Sequence, residues 1–183
     1  MSDDQTPSDI PTARMLSWAR NSTIYRLERR MMTERQLFDA IVRKAKHKFE
    51  DISEMQLKAV ANSAVTFACE HGGLSDATYA EVSARSGVRN GRSKRRIAQK
   101  LSQKGVDREV IATALDEADD LLAAVVFARK RAFGPFRRPD TDRERATKEM
   151  AAFARNGFSF DIGRTVLGMS REEAEDVVSA RSR

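Results

Sequence analysis

Between Thr12 and Gly134 the chain contains no proline; its four prolines stand at 7, 11, 135 and 139. A proline inside a helix removes a backbone hydrogen bond and clashes with the preceding turn. A stretch this long without one can therefore be helical throughout. Ala, Leu, Glu, Lys and Arg dominate it, and strand-type alternation is scarce. The chain is accordingly read as all-α. Hydrophobic residues make up 40% of the 183 positions and charged residues 33%, which suits helices with one buried face and one solvated face.

Glycines and capping residues punctuate the chain. Pro11 and a Thr12 cap open a helix over Ala13 to Arg30. Thr33 with Gln36 forms a capping-box signal for a helix to about Lys48, and Ser53 with Gln56 repeats it for a helix ending at Gly72-Gly73. Ser75 caps a short helix to Arg85, and Gly87 to Gly91 makes a turn. A helix follows from Arg92 to Lys104, stopped by Gly105. Asp107 caps the next, to about Glu117, and another runs to Phe133 before Gly134-Pro135. Thr141 with Glu144 starts a helix that stops at Gly157, Ser159 opens one to Leu167, and Ser170 with Glu173 opens the last. The loop at 134–140 is the clearest break, either a hinge or an ordered helix connection.

An internal repeat underlies this punctuation. Ile97, Leu101, Lys104-Gly105-Val106, Ile111 and Leu115 are echoed by Phe153, Asn156-Gly157-Phe158, Ile162 and Val166, with one residue fewer in the turn. A fainter copy, Leu37, Ile41 and Lys44, has Ala45 in place of the glycine and a longer charged turn. Each copy reads as two helices folded back on each other, and a preceding helix completes a three-helix unit. Units this small bury little surface alone, so neighbours should stack.

Enzymatic chemistry finds little support. His47 and His71 lie on different elements without metal-ligand spacing, and HExxH, CxxC and GxSxG motifs are all missing. No cofactor or metal is expected. Gly87-Val88-Arg89-Asn90-Gly91-Arg92-Ser93 resembles a phosphate loop, but it is one residue short, carries Arg for Lys, and follows a helix. Two readings of it stay open: an anion-attracting turn at a helix N-terminus, or a tight turn shaped by Gly91. Cys69, the single cysteine, is read as a small core residue. The acidic N-terminus lacks the apolar stretch of a secretory signal, and no apolar run reaches the ~20 residues of a membrane span. A cytoplasmic location is expected.

Charge points to binding. Lys and Arg total 33 against 27 Asp and Glu, and three of the acids (Asp3, Asp4 and Asp9) fall in the first 11 residues, so the rest of the chain carries +9. Such a bias suits a nucleic-acid partner or serves solubility. With Ile97 and Leu101 pointing inward, Arg92, Arg96, Lys100 and Lys104 form an i, i+4 row along one flank. That row repels itself unless a partner neutralises it. Arg89 and Arg95 lie close to it. A second cluster holds Arg129, Lys130, Arg131, Arg137 and Arg138, interleaved with Phe133 and Phe136. These basic residues are the candidate contacts. Against this stands a solvated face relieved by Asp107, Glu109, Asp116, Glu117, Asp119 and Asp120. Trp18 and Tyr25 are read as core residues.

The order and spacing of these residues resemble the RecX family of regulatory proteins. The likeness is carried by Gly73-Leu74-Ser75-Asp76, Tyr79-Ala80, Gly91-Arg92-Ser93, Arg96-Ile97, Leu101, Lys104-Gly105-Val106, Ile111 and Ala114-Leu115. Leu27, Arg29-Arg30, Thr33 and Gln36-Leu37 resemble the first repeat, and Arg155-Asn156-Gly157-Phe158-Ser159 with Ile162 the third. Ser75 departs from the usual first Asp of an acidic pair, and Ala45 from the first-repeat glycine. The resemblance spans roughly residues 18–168. It implies three tandem three-helix repeats in an elongated, curved molecule. The divisions are a disordered terminus over 1–11, repeats over 12–72, 73–117 and 118–168, and a C-terminal helix and tail over 169–183. It further implies a monomer that binds the RecA–DNA filament, and DNA weakly without regard to sequence. The expected outcome is restraint of RecA's strand exchange, ATP hydrolysis and coprotease activity. Repeats two and three are then expected to straddle adjacent RecA protomers, since linked weak contacts raise avidity. The competing readings are a sequence-specific helix-turn-helix regulator and a protein-only helical scaffold.

Overall fold

The computed structural model describes residues 9–137 and 145–180. Among them the secondary structure is wholly helical: α1 (Ala13–Leu27), α2 (Glu34–Lys48), α3 (Glu54–Glu70), α4 (Asp76–Arg89), α5 (Lys94–Gln103), α6 (Arg108–Asp116), α7 (Asp120–Arg131), α8 (Arg145–Arg155), α9 (Phe160–Gly168) and α10 (Arg171–Ala180). A short 3₁₀ turn covers Gly134–Phe136.

The caps form as local chemistry dictates. Thr12 accepts from the Met15 amide at the start of α1. Thr33 with Gln36 and Ser53 with Gln56 both close reciprocal capping boxes. Ser159 caps α9, and Ser170 exchanges hydrogen bonds with Glu173 ahead of α10. The proposed Thr141–Glu144 start of α8 lies outside the described residues.

Several boundaries differ from expectation. Helix α1 stops at Leu27 rather than Arg30. Helix α4 runs past Arg85 to Arg89, straight through Gly87, so the turn is confined to Asn90-Gly91 and the residues up to the α5 cap. Gly87 is a packing glycine: a Cβ there would sit 2.6 Å from Ile97 Cγ1 and Cδ1. Helix α7 ends at Arg131, where Ala132 takes a left-handed conformation, φ 54°. The first-repeat turn lacks its glycine, and α2 simply continues through the fully buried Ala45 to Lys48.

The chain packs as two compact units. Of the described residues, one comprises those up to Tyr79 together with Lys104–Asp107; the other comprises Ala80–Gln103 and those from Arg108 onward. In the first, α1, α2 and α3 surround a core of Met15, Ala19, Leu37, Ile41, Val60 and Ala64, flanked by Trp18, whose ring meets Phe49 edge-on at 5.4 Å. Asp9 and Ile10, grouped above with a disordered terminus, are held: the Ser53 hydroxyl donates to Asp9 Oδ1 at 3.1 Å and Gln56 Nε2 to the Ile10 carbonyl at 3.1 Å. In the second unit, Phe127, Phe153 and Phe158 meet at centroid separations of 5.2–5.6 Å, and Phe133 closes on Phe127 at 5.9 Å. Ile97 and Leu101 point inward as expected.

Two expected core residues are not in a core. Tyr25 is exposed, with the Arg29 guanidinium 4.6 Å from its ring centroid. Cys69 is also exposed, its sulfur 3.9 Å from Glu34 Oε1. Both helices turn a different face inward from the one their short apolar runs suggest. In α3 that face is Leu57, Val60, Ala61, Ala64 and Ala68.

Candidate functional site

Each unit contains the same joint, built from a helix start laid against a helix end. In the first unit the buried Thr33 hydroxyl donates to the Lys104 carbonyl at 2.7 Å, and the Glu34 amide donates to Asp76 Oδ1 at 2.9 Å. In the second, the buried Ser93 hydroxyl donates to the Asn156 carbonyl at 2.6 Å, and the Lys94 amide donates to Asp120 Oδ1 at 2.8 Å. Burial raises the Asp120 carboxyl above its ordinary range, and the Lys94 amide partly offsets that.

Glycine closes both joints. Gly105 stands at φ +82° against the Arg35 side chain, and Gly157 at φ +84° against Ser93 Oγ and the Arg95 side chain. A Cβ at Gly157 would come within 2.7 Å of Ser93 Oγ, so the close approach requires glycine for space as well as for the left-handed backbone. Residues 33–36 and 104–105 of one joint thus correspond to 93–96 and 156–157 of the other.

The joints differ in charge. Arg35 is ion-paired with Asp39, one helical turn away, at 3.2 Å. The corresponding pair is Arg95 and Gln99, which leaves that arginine without its carboxylate. Arg95, Arg96, Gln99, Arg155, Asn156 and Gly157 line a cleft of about 340 Å³ with no acidic side chain in its wall. Arg96 Nη1 donates to Asn156 Oδ1 at 2.8 Å, and among the described residues Arg95, Arg96 and Arg155 have no salt-bridge partner. Sequence reading singled out Arg95 and Arg96 as contacts but not Arg155, which no local signal joins to them; only the packing of Gly157 against Ser93 and Arg95 does.

The other candidates fall into different surroundings. The expected i, i+4 row is shorter on the helix than anticipated: Arg92 precedes the Ser93 cap, and Lys104 follows the last residue of α5. Arg96 and Lys100 are exposed on α5 itself. Lys104 is half-buried in the first unit, donating to the Tyr79 hydroxyl with its ammonium 5.0 Å from that ring's centroid. Arg89 lines a second, mixed-charge cleft of about 660 Å³, with Arg85, Glu81, Asp116, Glu117 and Asp119. Arg129, Lys130 and Arg131 crowd the last turn of α7, where Lys130 donates to Asn90 and Arg131 lies 5.9 Å from the Phe127 centroid. Arg137 is committed internally. It donates through Nε and Nη2 to the buried Glu149, which holds its guanidinium above the ordinary range. Arg138 lies outside the described residues.

The glycine turn before α5 forms no phosphate cradle. The amides of Asn90, Gly91 and Arg92 donate to carbonyls of α4, that of Lys94 to Asp120, and that of Arg96 to Ser93. Gly91, at φ +74°, fits where a Cβ would strike the Phe127 amide at 2.8 Å. The tight-turn reading accounts for it.

Helix-turn-helix pairs joined cap to carbonyl, with basic side chains gathered around one joint, define an all-helical repeat protein. Comparison with known proteins narrows this. Residues 75–115 match the family model described as RecX, second three-helix domain. The regulatory protein RecX of Agrobacterium fabrum is 59% identical over 177 residues, covering 97% of this chain and 96% of that one. That of Myxococcus xanthus is 36% identical over 158 residues, covering 82% and 84%. The crystal structure of RecX from Lactobacillus salivarius shares the fold with a TM-score of 0.64 at 21% identity, covering 90% of this chain and 99% of that one. The chain belongs to the RecX family of regulatory proteins. No helix among the described residues is long and apolar enough to cross a membrane.

Proposed function

We propose that this protein is a non-enzymatic negative modulator of RecA. In this reading it binds the RecA–DNA filament as a monomer in the cytoplasm and restrains strand exchange, ATP hydrolysis and coprotease activity. Family membership over nearly the whole chain carries the proposal, with 59% identity across 97% of its length to a regulatory protein RecX. The surface supplies a means. Arg92, Arg95, Arg96 and Lys100 are exposed, and so are Arg129, Lys130 and Arg131. Such side chains suit phosphates or an acidic protein face, with contact that weakens as salt rises.

The repeated joint supports a division into tandem three-helix units over 12–72, 73–117 and 118–168. Such an array meets a filament's recurring surface at more than one subunit, and the linked contacts reinforce each other. Arg137 and Lys104 contribute less to this surface than the exposed residues, because each is held by an internal partner.

The test is RecA's single-stranded-DNA-dependent ATP hydrolysis, with purified protein added before and after filament assembly. The expected result is a lower steady-state rate in at least one order of addition. An unchanged rate in both orders contradicts the proposal. A footprint confined to particular duplex sequences would instead favour a sequence-specific helix-turn-helix DNA-binding regulator.

A further inference from the structure

The arginine-lined cleft at the 93–96/156–157 joint is not a by-product of the fold. The 33–36/104–105 joint has the same cap-to-carbonyl hydrogen bond, the same second bond to the Asp that opens the helix two further along the chain, and the same left-handed glycine. There the arginine is neutralised by Asp39 at i+4 and Gln36 is engaged in the capping box, and in the sequence repeat the position that aligns with Arg155 is the uncharged Gln103. A joint can therefore be built without a bare cluster of cations. The second joint places Arg95, Arg96 and Arg155 around about 340 Å³ of open space with Gln99 and Asn156 as the neutral polar wall. Three like charges held together cost stability unless something of opposite charge enters.

We propose that this cleft is a binding site for a phosphoryl oxyanion. Guanidinium groups present planar pairs of N–H donors that match phosphate oxygens, and Arg95 and Arg155 approach from two helices that lie 60 residues apart in sequence. Arg96 is already oriented by Asn156 Oδ1, so its remaining N–H groups are presented at little further cost in side-chain freedom. The Asn156 carbonyl, which would otherwise repel an anion, is covered by the Ser93 hydroxyl. Gly157, lacking a side chain, lets Arg95 lie across the floor. The phosphoryl group belongs either to a nucleic-acid strand or to a small phosphorylated compound; the recognising chemistry is the same. The inference deepens the proposed function, for which Arg95 and Arg96 are contact candidates. Its test needs no RecA, so each can fail without the other.

The test is titration of the full chain with pyrophosphate at low ionic strength, followed through the arginine Nε–H signals in NMR spectra. Wild-type protein is expected to bind saturably, with Arg95, Arg96 and Arg155 responding together. Two variants remove the site in different ways. Arg155→Gln deletes a cation. Gln99→Asp deletes none, but installs the carboxylate that neutralises the other joint. Both residues are exposed, and melting temperatures no lower than that of wild type verify that each variant folds. Each variant is expected to bind pyrophosphate at least about tenfold more weakly. Competition by a short oligothymidylate then assigns the phosphoryl group to a nucleic-acid strand. Saturable pyrophosphate binding without such competition assigns it to a small phosphorylated compound. Absence of saturable binding, or binding that both variants leave intact, overturns the proposal.

Discussion

Glu149 is 1% exposed, yet it is a carboxylate in the interior of the second unit. It accepts from Arg137 Nε and Nη2 and from the Gly134 amide, at 2.6–3.1 Å. Burial of a charge is tolerated only when it is paired and its lone pairs are filled. Arg137→Ala leaves the carboxylate with the Gly134 amide and a distant Arg145, 4.0 Å away. The expected loss is about 2–4 kcal/mol, read as a lower urea midpoint with an unchanged slope. A loss near zero would mean that Arg137 is not the group holding Glu149. Cys69 makes a second residue-scale case. It is exposed, but burial of its sulfur, then the nearby Glu34 and Asp76 carboxylates, raise its thiol above the ordinary range. Less thiolate is present at neutral pH, so alkylation by iodoacetamide is expected to be slower than in the urea-unfolded chain. Glu34→Gln is expected to speed it in the folded protein. Equal rates in folded and unfolded chain contradict this account. Neither feature was legible beforehand. Arg137 and Glu149 lie 12 residues apart with no motif to pair them, and Cys69 sits in an apolar run that two different helix faces could explain.

At the scale of the element, caps were the most readable feature because their chemistry is local. Thr33 with Gln36, Ser53 with Gln56, Ser159, and Ser170 with Glu173 all act where a three-residue pattern puts them. Gly87 was misread because glycine signals both a turn and a close helix contact, and only Ile97, ten residues on, decides between them. The second task of the caps was invisible. The Thr33 and Ser93 hydroxyls each accept from an amide of their own helix and donate to the carbonyl at the end of another. No short motif encodes the second bond, though the alignment of Gly105 with Gly157 placed its acceptors. Ser93→Ala removes the cap and leaves the Asn156 carbonyl unpaired, and Thr33→Val does the same to Lys104. Each is expected to lower stability by about 1–2 kcal/mol, measured by urea denaturation. If Ser93→Thr failed to retain most of the stability lost in Ser93→Ala, the hydroxyl would not be the reason.

For the whole molecule, an all-helical chain of repeated helix-turn-helix pairs was legible from proline placement and recurring glycines. The arginine-lined joint was only half legible. Arg95 and Arg96 stood out as charge, but Arg155 joins them only because the fold brings residue 157 beneath residue 93. The filament-binding account makes the exposed cations of the second unit responsible for affinity, and Arg92, Arg96 and Lys100 are its most direct representatives. The decisive measurement is the affinity of the full chain for preassembled RecA filaments on single-stranded DNA, across a salt series. It compares wild type with the variant carrying Arg92→Glu, Arg96→Glu and Lys100→Glu. All three residues are exposed, so the melting curve is expected to change little. The account predicts affinity reduced by at least about tenfold and a shallower salt dependence in the variant. Equal affinity and an equal salt slope, in a variant that melts like wild type, would contradict it.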